Sequence, residues 1–400
     1  MSPFQSLVAI NRRNLAVFRH APLSEISGAL GDLGSFLPLT LALALRGAIS
    51  LPATLITSGL FNMATGAVFG VPLPVQPMKA IAAATLVAPE SASPRPQAAG
   101  LLVSLVLLFL SLTGLLRTLS QHTPSSLVKG IQLGTGLSLI NSSSSLLLLS
   151  PSISLVAFLP LLLTISHPRF PYALLVFVAG IAFTLPNHIP SLAPWMPVVE
   201  VPKFWPLELP LSMAVAQLPL TVLNSVIAVE ALTGELIPGV GGVRATGLGV
   251  SVATMNLIGA WVGAMPVCHG AGGLAAQWRF GARSGASVMA LGVVKVAAGW
   301  LWGEGLERLL KTFPEGVLGV MLAAAGVELA GKGLDLSRGE DQGEDGLNAE
   351  ERLVITLMTA AGMVATKNAA IGFLIGGLCY GCYRLKNRGE ESGERTGLLR

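Results

Sequence analysis

Two short segments of the sequence combine prolines with polar residues inside apolar surroundings. The first is residues 71–80 (VPLPVQPMKA), with Gln76, Met78 and Lys79. The second is residues 264–273 (AMPVCHGAGG), with Cys268, His269, Gly270, Ala271 and Gly272. Prolines at this density stop a helix, so each segment predicts an extended stretch that leads into a short helix. A helix N-terminus presents unpaired N–H groups and a partial positive charge, and two facing N-termini predict a site for an anion.

The side chains of these segments suit an oxyanion, and each has a second interpretation. Gln76 can donate two hydrogen bonds to an anion, or it can cap the first short helix. The backbone N–H groups of Met78 and Lys79 are expected to be free. Lys79 either strengthens the positive potential or pairs with a carboxylate such as Asp32 or Glu230. His269 can donate to the anion, carry a coupling proton, or cap the second short helix.

Two further apolar segments carry polar residues that are expensive inside lipid. Residues 31–40 (GDLGSFLPLT) contain Asp32 and Ser35. Asp32 would repel a dianion, so we expect it to be a structural or proton-coupling carboxylate. Residues 216–225 (AQLPLTVLNS) contain Gln217, Thr221 and Asn224, whose spacing predicts one helix face that is a site wall or an interhelical contact. Glu230 and Glu328 are further candidates for coupling or for ion pairs.

The composition predicts that lipid is the solvent for most of the chain. The 400 residues are 52% hydrophobic and 12% charged, with a mean hydropathy of +0.69. A soluble domain carries about 25% charged residues, since water must wet its surface. We therefore expect an all-α integral membrane protein with lipid as a partner and no nucleic acid.

Fourteen apolar segments are candidates for membrane spans. They are 24–45, 53–70, 76–89, 98–116, 127–149, 152–166 and 172–185 in the first half, and 210–232, 244–262, 268–280, 285–303, 314–330, 352–366 and 368–384 in the second. The third and tenth are too short to cross alone. Paired interrupted segments at matching places in two halves predict an internal repeat with the site between them. Seven spans per half is an odd number, so the second half is expected to be inverted relative to the first.

These segments divide the chain into five parts. They are a cytoplasmic leader (1–23), a first repeat (24–185), a proline-rich connection (186–209), a second repeat (210–384) that contains an acidic loop (335–351), and a polar tail (385–400). Lys and Arg concentrate on one side of this arrangement, so both termini are expected to be cytoplasmic. The plasma membrane and an internal membrane, such as the vacuolar one, both remain open.

The residues that an enzyme or a metal site would need are scattered. The three cysteines cannot form a disulfide framework, and Cys379 and Cys382 lack a second ligand pair. The five histidines are far apart in the sequence. We therefore expect neither a cofactor nor a metal and treat an integral-membrane enzyme as a remote alternative, while a single central site disfavours a channel.

Four stretches closely resemble the signatures of the molybdate transporter family, a branch of the sulfate permease superfamily. They are GALGDLGSFLP from Gly28, PVQPMKAIAA from Pro74, QLPLTVLNSVIAV from Gln217 and PVCHGAGGLAAQWRFGARSG from Pro266. The resemblance implies a seven-plus-seven inverted-repeat fold with core and gate domains. It also implies molybdate as cargo, moved by alternating access.

Other cargoes on the same fold stay open at this point. Sulfate has the shape and charge of molybdate. A nucleobase carrier is expected to have a carboxylate near the second short helix, where this chain has His269-Gly-Ala-Gly. The coupling ion is also open, as is a homodimer.

Overall fold

The computed structural model describes residues 3–88, 96–163, 171–184, 192, 194–205, 207–240, 243–335 and 347–397. The helices of the first half are α1 (Pro3–His20), α2 (Pro22–Ala29), α3 (Leu33–Leu45), α4 (Leu51–Phe69), α5 (Lys79–Val87), α6 (Pro96–Leu112), α7 (Leu115–His122), α8 (Ser125–Leu149), α9 (Pro151–Leu163) and α10 (Tyr172–Thr184). Those of the second half are α11 (Glu208–Leu220), α12 (Ala228–Leu236), α13 (Ala245–Gly259), α14 (Ala271–Arg279), α15 (Gly285–Trp302), α16 (Leu306–Lys311), α17 (Glu315–Leu334), α18 (Ala349–Thr366) and α19 (Ala369–Gly397). Two strands complete the described residues, β1 (Gln76–Pro77) and β2 (Val267–Cys268).

Most of the predicted apolar segments coincide with a helix or a run of joined helices, while the third and the tenth begin in the strands β1 and β2. Among the described residues, five helical segments are apolar and long enough to cross a membrane, or six if α6 and α7 count as one bent span. The protein is therefore a multi-pass membrane protein.

Three details differ from the sequence-based expectation. The leader contains helix α1, and the predicted span 98–116 is two helices, α6 and α7, bent by 78° at the glycine between them. The tail is not a separate polar piece, because α19 runs on to Gly397. The predicted connection and acidic loop fall in part on residues 185–191, 193, 206 and 336–346, which lie outside the described residues.

The two proline-broken segments pair with each other. β1 and β2 are antiparallel, with Gln76 opposite Cys268 and Pro77 opposite Val267. The ladder continues where the N–H of Met78 donates to the carbonyl of Pro266 over 2.9 Å. Prolines cannot donate to a ladder, so the pair stays short. The two strands are buried, and polar backbone groups in such an interior need hydrogen-bond partners because no water is available there. The strand pair supplies some of those partners.

An asparagine from each half fastens the strand that follows it. Asn62 of α4 accepts a hydrogen bond from the N–H of Val75 over 2.8 Å. Asn256 of α13 accepts from the N–H of Val267 over 2.7 Å and donates to its carbonyl over 2.6 Å. Asn256 therefore makes both hydrogen bonds that a neighbouring strand would make, whereas Asn62 makes one of them. Each asparagine bonds to the valine of a Pro-Val step.

Helix packing repeats between the two halves. α4 packs along α15, and α6 packs along α13, so an early helix of each half pairs with a later helix of the other. α4 and α15 meet at Gly66 and Gly285, where a Cβ on either residue would run into the backbone carbonyl of the other. Close approach of small residues is the usual packing of helices in membranes. α8, α17, α18 and α19 form a second group of mutually packed helices, which we term the α8 bundle.

Helix α1 closes one end of the α4–α15 pair. The buried Asn14 donates to the carbonyl of Gly66 over 2.9 Å and accepts from the N–H of Gly285 over 3.0 Å. Arg13 donates to the carbonyl of Gly70 over 2.9 Å. The last carbonyls and first N–H groups of a helix have no partner within it, and α1 supplies those partners here.

Replacing Asn256 should show how much the strand pair depends on its asparagine. Asn256→Leu leaves the N–H and the carbonyl of Val267 without partners, at a cost of about 1–3 kcal/mol for each group. We expect a clearly lower unfolding temperature for the detergent-purified protein. Asn141→Leu, at an exposed position of α8, is the matched control. Equal melting of the two variants would contradict the fastening role.

Candidate functional site

The two short helices α5 and α14 begin where the strand pair ends, as the proline pattern predicts. The first turn of α5 is already engaged. Gln217 Oε1 accepts from the N–H of Ala80 over 2.8 Å and from that of Ile81 over 3.4 Å. The expectation that the N–H of Met78 is free is wrong, because the ladder to Pro266 uses it. Gln217 thus makes an interhelical contact that caps α5.

The N-terminus of α14 is more open. Its N-cap residue, Gly270, has no side chain that could accept from the first N–H groups. The carboxamide of Gln76 lies directly against this turn, since a Cβ on Gly270 would overlap Gln76 Oε1 and one on Gly273 would overlap Gln76 Nε2. Glycine at these positions therefore makes room for a polar group beside the helix N-terminus. Ala271 and Gly272 open the same turn.

Asp32 and Ser35 join Gln76 in one buried cluster. Asp32 is 3% exposed, and its Oδ1 accepts from Ser35 Oγ over 2.6 Å and from Gln76 Nε2. Gln76 Nε2 also contacts Ser35 Oγ over 3.1 Å. Both amide protons of Gln76 are thus engaged in this state, and the carboxylate of Asp32 is held by donors from its own helix and from β1.

Two lysines interact electrostatically with Asp32. One is Lys79 at the start of α5. Its two expected roles, pairing with a carboxylate and strengthening the positive potential, both remain predictions. The other lysine is Lys295 of α15, which is 5% exposed and lies with Nζ 3.5 Å from the ring centroid of Phe36. Sequence reasoning missed Lys295. A lone lysine in the middle of the apolar span 285–303 is the signal that identifies it.

Within the described residues, neither His269 nor Cys268 forms a hydrogen bond with Asp32, although the Cys268 thiol interacts electrostatically with Asp32 and Lys79. His269 is fully buried, with Nε2 3.0 Å from Ser251 Oγ and Nδ1 3.3 Å from the carbonyl of Pro74. A carbonyl can only accept, so Nδ1 carries the proton and Nε2 accepts from the hydroxyl. Cys268 Sγ lies 3.8 Å from the carbonyl of Pro77. A role for either residue toward an anion remains a prediction.

The polar face after Gln217 is a π-helix, not the α-helix that the sequence spacing predicts. It spans Thr221–Ile227, directly after Pro219. A π-helical turn inside an α-helix often marks a functional site. Thr221 accepts from Gln217 Nε2 over 2.9 Å. Asn224 Oδ1 accepts from Thr135 Oγ1 over 3.2 Å, which links this segment to the α8 bundle.

The other two coupling candidates lie elsewhere in the fold. Glu230 of α12 accepts from Ser120 Oγ of α7 over 2.7 Å. Glu328 of α17 lines a cavity of about 410 Å³, together with Arg279, Lys332 and Asp335. The structure therefore brings Asp32, and not Glu230 or Glu328, to the strand pair.

The cluster brings together an uncapped helix N-terminus, the buried Lys295, the half-buried Lys79 and one carboxylate. The donors of Ser35 and Gln76 are directed at that carboxylate and at each other. Within the described residues, no three His, Cys, Asp or Glu side chains are grouped as metal ligands would be.

The chain is similar to proteins that are described as transporters of an oxyanion. A family model described as "Molybdate transporter of MFS superfamily" matches residues 24–139 and 210–329. Molybdate transporter 1 of Arabidopsis thaliana is 36% identical over 94% of this chain and 91% of its own. Molybdate transporter 2 of the same plant is 36% identical over 91% and 88%. Molybdate transporter 1 of Chlamydomonas reinhardtii is 29% identical over 88% and 90%.

Solved structures share the fold at low sequence identity. SLC26A9 aligns with a TM-score of 0.57 and 14% identity over 90% of this chain, which spans 66% of that longer chain. Murine Slc26a9, solved as an anion transporter in the inward-facing state, gives 0.61 and 14% over 89% of this chain and 68% of its own. The transmembrane domain of the cyanobacterial bicarbonate transporter BicA gives 0.55 and 15% over 88% and 96%.

A double-mutant cycle tests whether Lys295 acts on Asp32. Lys295→Met leaves a buried carboxylate with one cation fewer, and Asp32→Asn leaves a buried cation without its carboxylate, so each should lower the unfolding temperature. The double variant should be less destabilised than the sum of the singles, with a coupling of about 0.5–3 kcal/mol.

The exposed Lys203 provides the control for this cycle. Lys203→Met combined with Asp32→Asn should be additive. Additivity in the Lys295 cycle as well would mean that the lysine and the carboxylate do not interact.

Proposed function

This chain belongs to the molybdate transporter family, and from that membership we propose that it is a secondary-active transporter that carries molybdate between two faces of a membrane. The observation that carries the proposal is the uncapped N-terminus of α14, which lies beside Gln76 in the cluster of Asp32 and its two lysines. Backbone N–H groups at a helix start are a ready site for a tetrahedral oxyanion.

The architecture that suits this function is two inverted seven-span repeats, 24–185 and 210–384, with both termini in the cytoplasm. The exchange of partners between the α4–α15 and α6–α13 pairs supports it, as do the two asparagines that fasten matching strands. α5 and α14 are then the third and tenth spans, which enter from opposite sides and meet at the midplane.

The two half-helices contribute unequally to the proposed site. Gln217 already occupies the first turn of α5. The oxyanion is therefore bound mainly by the N–H groups of Ala271 and Gly272, with Lys79 as the neighbouring cation. Small residues in this turn let the anion approach the backbone closely.

Proton coupling follows from the hydrogen bonds of Asp32. An ionised Asp32 holds both amide protons of Gln76, directly and through Ser35. A proton on Asp32 weakens that hold and frees an N–H of Gln76 for the oxyanion. It also removes the negative charge of Asp32, which offsets the positive charges of Lys79 and Lys295, so the binding of a dianion becomes more favourable. Cargo and proton then bind together, as a symporter requires.

Replacing Gln76 tests the site. Gln76→Ala removes a donor that makes a charge-assisted hydrogen bond to the cargo, so molybdate affinity should fall by about ten- to a hundredfold. The measurement is calorimetry on the purified variant, with sulfate as competitor. Gln97→Ala removes a buried glutamine that is bonded to the carbonyls of Ala48 and Gly263. This control should melt earlier and keep its affinity. Wild-type affinity in folded Gln76→Ala would place the cargo elsewhere.

Neutralising Asp32 tests the coupling. In the wild type, uptake of molybdate into proteoliposomes should rise as the pH falls, because protonation of Asp32 favours the anion. Asp32→Asn mimics the protonated state, so uptake should lose most of this pH dependence while equilibrium binding persists. Glu230→Gln, outside the cluster, should keep the wild-type profile. An unchanged profile in Asp32→Asn would contradict a coupling role for this carboxylate.

A further inference from the structure

One glutamine of the α8 bundle is buried without a hydrogen-bond partner. Gln132 is fully buried, and neither its Nε2 nor its Oε1 has a partner among the residues that the structure describes. Leaving a buried polar group unpaired costs about 1–3 kcal/mol. Such a group calls for an explanation, and a ligand that is present in only part of the working cycle is one.

Helix geometry places Gln132 opposite the proposed site. Gln132, Thr135 and Leu139 stand three and seven residues apart, so they share one face of α8. Thr135 donates to Asn224 of the π-helix, and Leu139 packs so close to Gly272 that a Cβ there would meet its Cδ1. Gln132 therefore lies on the face of α8 that is turned toward the site, about 4.5 Å along the helix axis from Thr135 and about 10.5 Å from Leu139.

The far side of Gln132 is closed by an ion pair. Lys129, one turn further along α8, contacts Glu235 Oε1 of α12 over 2.7 Å and donates to the carbonyl of Lys332 over 2.9 Å. Gln132 therefore lies on α8 between two polar links, Thr135–Asn224 and Lys129–Glu235. Its own polar atoms are not bonded to either link. Both links join the α8 bundle to the helices around the strand pair.

We propose that Gln132 is a cargo ligand supplied by the α8 bundle, whose carboxamide donates to the oxyanion as it passes between α14 and the Lys129–Glu235 pair. The inference rests on the proposed function and adds a contact from the opposite side of the site. The free amide protons provide donors, and the absence of a full positive charge lets the anion leave.

A ligand on α8 also gives the cargo a way to act on conformation. A ligand shifts a conformational equilibrium only through contacts that differ between the states. An oxyanion that is bonded to Gln132 while it lies between the two groups of helices favours the state in which both groups can contact it. An empty site leaves Gln132 unpaired and disfavours that state.

Gln132→Met separates this role from a structural one, because the change keeps the length of the side chain and removes its polar atoms. A glutamine that stabilises the fold loses stability on this change. An unpaired glutamine does not, so the cargo-free variant should melt at the wild-type temperature or above it. Its molybdate affinity by calorimetry should fall by about ten- to a hundredfold. Gln132→Leu, as a second variant, should behave in the same way.

Gln97→Met is the matched control, since Gln97 is also buried but is bonded to two carbonyls. It should melt earlier and bind molybdate as the wild type does. A lower melting temperature for cargo-free Gln132→Met, or wild-type affinity in that variant, would overturn the inference. The second result is also what a bound water at Gln132 would give. If the wild type binds no molybdate, the proposed function itself fails and the inference falls with it.

Discussion

The backbone of two proline-broken segments must find hydrogen-bond partners inside an apolar interior, and the rest of the fold is arranged around that need. An unpaired N–H or carbonyl in such surroundings costs several kcal/mol. The segments satisfy each other through β1 and β2, and Asn62 and Asn256 satisfy the valine that precedes or begins each strand. This pairing fixes the residues at which α5 and α14 begin. It therefore also fixes the position of the partial positive charge at the N-terminus of each helix.

The two halves are alike in their scaffold and different in their chemistry. Each has an asparagine, a Pro-Val step and a short helix. Only the first has its short helix capped from outside, by Gln217. Only the first contributes the Asp32, Ser35 and Gln76 cluster. Similar backbone arrangements in the two halves thus give an asymmetric proposed site. α14 supplies the open N-terminus, the first half supplies the carboxylate, the polar donors and Lys79, and α15 of the second half supplies Lys295.

Much of this could be predicted from the sequence, because apolar length and proline density are local signals. They located most of the helices and the two breaks. The partners of single polar residues could not be predicted, since a lone Asn62, Asn256 or Gln217 in an apolar run does not show what it will bond. The π-helix after Pro219 was also hidden, because spacing alone cannot distinguish α from π hydrogen bonding. Lys295 was within reach, as a lysine in an apolar span is itself a signal.

Two polar links among the described residues join the α8 bundle to the helices around the strand pair. They are Lys129–Glu235 and Thr135–Asn224, and a separation of the two groups, as the proposed transport requires, would break both. The ion pair retains some exposure on both side chains, at 11% and 16%, so water can take over its partners as it opens. A fully buried pair would resist separation much more strongly. Gln132, one turn from each link, has no protein partner to lose when the groups part. The interface thus combines apolar packing of α17 on α14 and α3 with two polar links whose partners water can replace, and with a glutamine whose polar atoms have no partner among the described residues.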